Sequence, residues 1–207
     1  MSNAIQLRFA ATRLFAGQGF RATSLQAISD EVGVTKQTLL YHFPSKQALR
    51  RAVLDGVFAH WRERLPRILE AVVSGQGRFE ALSEELLRFF ESEPDRARLL
   101  MRELLDNPEE MRWLVLENLR PWVLLIAEYV REGQRLGMIH QDLDPEAYIV
   151  HVITLVVANV ACEGALAAAL GEESGSRSRE RAELTRLTRS ALFTQSQPSR
   201  RHAEPER

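Results

Sequence analysis

Residues 33–46, GVTKQTLLYHFPSK, place Lys36, Gln37, Thr38, Leu40, Tyr41 and His42 within one short segment. Each of several side chains here has a defined chemistry toward nucleic acid. Glutamine pairs bidentately with adenine, lysine bonds guanine, leucine contacts the methyl group of thymine, and a tyrosine hydroxyl bonds phosphate. On a 100° wheel, Val34, Leu39 and Phe43 point one way, so the segment divides into a core half and a half of Lys36, Gln37, Leu40 and Tyr41. Leu and Tyr beside Lys, Gln and Thr make a poor solvent face but a good groove face. Lys36 also opposes the positive end of its helix dipole, a conflict that a nearby phosphate removes.

Nothing comparable points to catalysis. His42, His60, His140, His151 and His202 are scattered, and the chain contains no HExxH, Gly-rich phosphate loop or GxSxG. Cys162 lies in an apolar run without an evident basic neighbour. No catalytic residue, metal site or cofactor is expected. A single cysteine excludes an intrachain disulfide, which favours the cytoplasm. Arg8 and Arg13 interrupt AIQLRFAATRLFAGQGF, whose spacing suits an amphipathic helix rather than a signal peptide. YIVHVITLVVANVAC (148–162) is broken by His151 and Asn159 and is short for a span, so it reads as a buried helix with no membrane partner.

The elements that must position the 33–46 segment follow from caps and breakers. Strand signals are weak and helical spacing recurs, so the fold is expected to be all-α, with about nine helices. The first covers Ala4 to Gly17. Thr23, three residues before Gln26, has the capping-box spacing and opens a second, which Gly33 stops. Thr35 caps a third, which ends at Phe43 because Pro44 cannot continue it. Ser45 caps the fourth, with Pro66 as a kink or break. SGQG (74–77) reads as a turn, followed by helices near Phe79–Glu91 and Asp95–Asp106. A long helix is then expected from Pro108 to Leu136, kinked at Pro121, another from Asp144 or Pro145 to Leu170, and a last near Arg179–Phe193.

Charge divides the chain in the same place. Residues 1–51 hold seven Lys/Arg (Arg8, Arg13, Arg21, Lys36, Lys46, Arg50, Arg51) against Asp30 and Glu31, a net +5 that leaves −6 for the rest of a chain totalling −1. A basic head for a polyanion on an acidic body is the implied arrangement. Residues 1–47 read as that helix-turn-helix head, 48–193 as an effector-binding and dimerisation body, and 194–207, polar and aperiodic, as a disordered tail.

GFRATSLQAISDEVGVTKQTLLYHFPSKQAL resembles the DNA-binding region of the tetracycline-repressor-like (TetR-like) transcriptional regulators, closely over residues 5–52. The resemblance implies a homodimeric, ligand-responsive repressor on a near-palindromic duplex operator. It implies that Thr23 and Ser24 start the helix touching the DNA backbone and that Gln26 reaches DNA. Lys36, Gln37 and Thr38 fall at reading positions, Tyr41 and His42 near the backbone, and Lys46 at the phosphate-binding lysine. The family usually has Tyr where this chain has Leu40, so either Tyr41 substitutes or Leu40 makes an apolar base contact.

For the body, Trp61, Phe79, Phe89, Phe90, Met101, Trp113, Trp122, His151 and Asn159 are candidates to line a pocket. The resemblance implies a small-molecule effector there, which the apolar and aromatic lining would make hydrophobic or aromatic. Ala158, Ala161, Ala165 and Ala168 or Ala169 recur at helical spacing, a stripe that permits close helix approach, and the last two helices would form the dimer. The competing reading is a helical interaction module whose basic head binds an acidic protein. Sequence-selective duplex binding separates the two.

Overall fold

Short-range hydrogen bonds decide where the first four helices start and stop. In the computed structural model, which describes residues 2–71, 75–171 and 176–194, α1 (Asn3–Gln18) ends at Gly19, whose φ of 86° glycine adopts without strain. Helix α2 (Leu25–Val32) begins where Ser24 Oγ accepts the Ala27 amide at 3.0 Å, and stops at left-handed Gly33, φ 75°. Thr35 Oγ1 accepts from the Thr38 amide at 3.1 Å to open α3 (Lys36–His42), which ends ahead of Pro44. Ser45 Oγ accepts from the Ala48 amide at 3.0 Å, and α4 (Lys46–Ala71) follows.

One cap differs from expectation. Thr23 does not open α2: it is 1% exposed, and its hydroxyl donates to the Gly19 carbonyl at 2.8 Å. Gln26 does not complete a capping box either, because its amide donates forward to Asp30 Oδ1 at 2.7 Å. Ser24, one residue later, has the extended backbone that lets a side chain reach back to the first turn.

The body continues with α5 (Gly75–Glu91), α6 (Pro94–Asp106), α7 (Pro108–Asn118), α8 (Arg120–Arg135), α9 (Pro145–Leu166), a 3-10 turn (Ala167–Leu170) and α10 (Ser176–Leu192). Among the described residues there are ten α-helices and no strand, only an isolated bridge between Ile139 and Phe193. The tenth helix arises at Pro121. Proline lacks the amide that would bond four residues back, so the expected 108–136 helix ends at Asn118 and restarts at Arg120 with Pro121 in its first turn. Pro66 has the opposite outcome and stays inside an unbroken α4, between buried Leu65 and Leu69. No turn occupies residues 75–77, which already belong to α5, and residue 74 of the expected 74–77 turn lies outside the described residues. Of the tail, residues 195–207 lie outside them too. Thr194 is bound into the fold, its amide donating to the Met138 carbonyl at 3.1 Å.

Head and body share one core. Leu7, Ala11, Phe15, Ile28 and Leu39 of the first three helices belong to the same buried cluster as Leu54 of α4, Phe89 of α5, Leu99 of α6 and Val157 of α9. Helix α6 is the bridge, packing against α1 on one side and α9 on the other. Helix α9 with its 3-10 extension is long and apolar enough to cross a membrane by length and composition, with mean hydropathy 1.9. Its inner residues Ile149, Val156, Val157 and Val160 are buried against the protein, but only 22% of the apolar window is buried, so it is not the buried helix expected from the sequence: one side packs and the other is open. Val150, Leu155, Leu166 and Leu170 face outward. The alanine stripe does not run along that outer side as one surface, because Ala161 packs on the core while Ala165, Ala168 and Ala169 are exposed.

Candidate nucleic-acid interface

Helix α3 is held by one residue and exposed by several. Leu39 is 0% exposed and anchors the helix, with Val34 and Phe43 half-buried on the same side. Full burial of such a side chain stabilises by about 2 kcal/mol. Facing away are Lys36, Gln37 and Leu40, all exposed, and Tyr41, 85% exposed. Thr38 is half-buried, its hydroxyl 2.9 Å from that of Thr35, and the His42 ring packs edge-on to Tyr41 with centroids 5.2 Å apart. An 85%-exposed tyrosine on a short, well-anchored helix contributes little to the fold, and its hydroxyl is open to a donor or acceptor outside the chain.

Ser24 and Gln26 lie at the N-terminus of α2 and Lys36 and Gln37 at that of α3, and the two helices are joined by the tight turn at Gly33. That is the helix-turn-helix arrangement, in which the second helix enters a major groove and the first crosses the backbone. Two expected contacts do not fit. Thr23 is buried, so its side chain is not presented to any ligand. Lys46 directs its ammonium inward, donating to the carbonyls of Phe20 at 2.9 Å, Thr23 at 2.9 Å and Arg21 at 3.3 Å, above the Phe20 ring at 4.5 Å. An ammonium has three hydrogens, so those bonds use its full donor capacity.

Arg50, one of the seven basic residues of the first 51, belongs instead to an internal charged cluster. Arg50, 5% exposed, donates through Nε to Glu103 Oε2 at 2.9 Å and through Nη1 to Glu110 at 2.6 Å, with a further Nη2 contact to Glu103. Glu103 is 2% exposed and also accepts from Asn107 at 2.9 Å. Burial, the largest single effect, pushes the Arg50 pKa down, but the hydrogen bonds to Glu103 and Glu110 and the attraction of their charges together outweigh it and raise the pKa. The cluster ties α4, immediately behind the head, to α6 and α7. A sequence signal existed, since Arg50 lies within the Leu49, Val53, Leu54, Val57 stripe of α4 and not opposite it.

The expected effector-lining residues are brought together only in part. Trp61, Phe89 and Phe90 form an aromatic cluster with centroid separations of 5.2 and 5.0 Å, His60 stacks on Phe89 at 4.2 Å, and Met101 packs against the same core. Trp113 does not line a pocket: it is 63% exposed on α7. His151 is exposed on the outer side of α9, because the inner side is taken by Ile149, Val156 and Val157. Trp122 is half-buried on α8, and Phe79 packs edge-on to Phe193 at 5.6 Å. Asn159 borders a cavity of about 10 Å3 with Leu87, Val160 and Arg181, room for about one water. An open depression of about 370 Å3 is lined by His140, Asp142, Leu143 and Ala191, none of them an expected residue.

Comparison with known proteins agrees with this architecture. Over 150 residues the chain is 27% identical to the transcriptional regulatory protein RaaS of Mycobacterium tuberculosis, covering 69% of this chain and 62% of that protein. It is 31% identical over 131 residues to the Escherichia coli K12 regulator RutR, 60% of each chain. The match thus spans about three-fifths of the length of these curated relatives. The ketosteroid transcriptional regulator KstR2 of M. tuberculosis has the same fold, with TM-score 0.74 and 16% identity over 94% of this chain and 96% of that one. A putative transcriptional regulator from Saccharomonospora viridis, solved in complex with choline, superposes with TM-score 0.69 and 19% identity over 93% and 98%. Residues 8–53 match the bacterial regulatory proteins of the tetR family and residues 77–190 the tetracyclin repressor-like C-terminal domain, so the chain belongs to the tetR family of bacterial regulatory proteins.

Proposed function

We propose that this chain is a cytoplasmic, ligand-responsive transcriptional repressor that binds a near-palindromic DNA operator as a homodimer. The observation that carries it is the division of α3, with buried Leu39 beneath an exposed face of Lys36, Gln37, Leu40 and Tyr41. Lys36, Gln37 and Thr38 take the reading positions, Leu40 contacts an apolar base edge, and Ser24, Gln26, Tyr41 and His42 position the head on the backbone. Family membership supports this reading, and a relative 34% identical over 80 residues is named as the transcriptional repressor KstR2.

Dimerisation through α9 and α10 is supported by the outward Val150, Leu155 and Leu166 of α9, Leu170 of its 3-10 extension and Leu187 of α10, each more than 40% exposed in the single chain. Two copies joined there would present two recognition helices to grooves about 34 Å apart. A small molecule, hydrophobic or aromatic in keeping with the Trp61, Phe89, Phe90 core, would favour a dimer state whose heads do not fit both grooves. Helix α4 is the connecting lever, since it starts at the head and is ion-paired to α6 and α7 through Arg50.

Selection of the purified protein on random duplex DNA at about 150 mM salt tests the reading. Enrichment of a near-palindrome supports it. Retention that vanishes with salt and leaves no enriched motif sinks it and favours an interaction module binding acidic protein.

A further inference from the structure

The seven basic residues that give the first 51 residues their positive charge are not equally available to DNA. Arg13 pairs with Glu31 at 2.6 Å. Arg50 is buried against Glu103 and Glu110. Lys46 donates to three carbonyls. Arg51 approaches Asp55 at 4.0 Å, and Arg8 is half-buried beside Gly56 of α4. Among the described residues, Lys36 and Arg21 remain as exposed head cations with neither a hydrogen bond nor an ion pair. Lys36 lies on the reading helix, whereas Arg21 has no role in the reading face.

Arg21 sits in the turn between α1 and α2, three residues before the Ser24 cap. That turn is not loose. Lys46, the first residue of α4, bonds the carbonyls of Phe20, Arg21 and Thr23 from the far side, and the buried Thr23 hydroxyl ties the turn back to Gly19. The backbone of Arg21 is therefore held while its side chain stands in solvent, just ahead of α2, the helix of the motif that crosses the phosphate backbone. A guanidinium presents a planar fork that suits a phosphate bidentately, and the capped N-termini of α2 and α4 add positive potential nearby.

We infer that Arg21 is the phosphate clamp of the head, and that Lys46 is a positioning residue that fixes the turn from which Arg21 reaches. The inference rests on the DNA-binding reading above. It moves the backbone contact from the lysine that opens α4 to an arginine 25 residues earlier in the chain. The clamp reads no base, so it sets affinity and salt dependence without altering which sequence is bound.

The test is the salt dependence of binding, measured with the full chain on its selected duplex and on an unrelated one between about 50 and 200 mM salt, for the unmodified protein, Arg21→Ala, Arg21→Lys and Lys46→Met. Arg21→Ala is expected to reduce the slope of log K against log salt by about 0.9 per head, about 1.8 for a dimer. Its affinity loss is equal on both duplexes, about twelve-fold larger at the low-salt end than at the high-salt end. Arg21→Lys retains the slope, since a lysine also displaces a counterion. Lys46→Met retains the slope and lowers the melting temperature. An unmodified slope in Arg21→Ala overturns the clamp. A lost slope in Lys46→Met at unchanged melting temperature overturns the positioning role and makes Lys46 the phosphate ligand. If the unmodified protein retains neither duplex, the DNA-binding reading itself falls, and the inference with it.

Discussion

Replacing Arg50 by methionine isolates the buried cluster between head and body. The substitution keeps an unbranched chain of similar length and leaves the Glu103 carboxylate, with its side chain 3% exposed, with the Asn107 amide as its remaining partner at 2.9 Å. Breaking a buried pair by removing one member costs about 3–5 kcal/mol, because the remaining charge is neither solvated nor neutralised. For a chain of this size each kcal/mol shifts the melting temperature by about 2–4 °C, so Arg50→Met is expected to melt about 6–20 °C lower. Glu103→Met should do comparable damage by stranding the guanidinium. The double variant removes both charges and is expected to return most of the stability, since a well-packed apolar pair is often neutral or better. Glu110, with its side chain 52% exposed, contributes much less, and Glu110→Ala should cost under about 1 kcal/mol. Thermal unfolding of all four variants, followed by circular dichroism, measures these differences. A melting temperature for Arg50→Met within about 2 °C of the unmodified chain, or a double variant no more stable than the singles, would refute the assignment of a buried, mutually dependent pair.

Four other outcomes follow from particular residues. Gly133→Ala should destabilise by about 1–3 kcal/mol by overpacking, because a new Cβ would lie 2.5 Å from Ile139 Cδ1; a companion Ile139→Ala should recover part of the loss in the same melt. Burial holds the His60 pKa below its ordinary 6.5, despite the Glu85 carboxylate at 3.1 Å. The unfolded chain therefore takes up that proton first, so stability falls as pH drops below about 6.5. His60→Gln should flatten the melting temperature between about pH 7 and 5, and an unchanged slope there would remove His60 from the account. Glu85, held below its ordinary 4.5 chiefly by its hydrogen bond from Arg64, contributes stability that is lost only in more acid solution, below about 4.5. On the reading face, Gln37→Ala should cost about 1–3 kcal/mol on the selected operator and relax the preference at one base position, visible on repeating the selection, while leaving the melting temperature in place.

What the sequence by itself determined was local. Ser45, Thr35 and Gly33 act through bonds spanning three to five residues, so the starts of α3 and α4 and the end of α2 were legible, as was the division of α3 into a buried Leu39 and an outward Lys36, Gln37 and Tyr41. Tertiary structure decided where near-equivalent local choices existed. Thr23 and Ser24 both have capping side chains, and burial of Thr23 against Gly19 assigns the cap to Ser24. Pro66 and Pro121 each delete one backbone donor, yet buried Leu65 and Leu69 flank the first within a continuous α4 while a new helix begins at the second. The aromatic candidates for the body share one composition, and only packing separates buried Phe89 and Phe90 from exposed Trp113. Charge was the least legible property. A sum over the first 51 residues treats Arg50, Lys46 and Arg21 alike, whereas Glu103 lies 53 residues from Arg50 and the carbonyls around Lys46 lie 23 to 26 residues from it. Whether a cation faces water, a carboxylate or a ring of carbonyls depends on which distant segments the hydrophobic core has brought beside it.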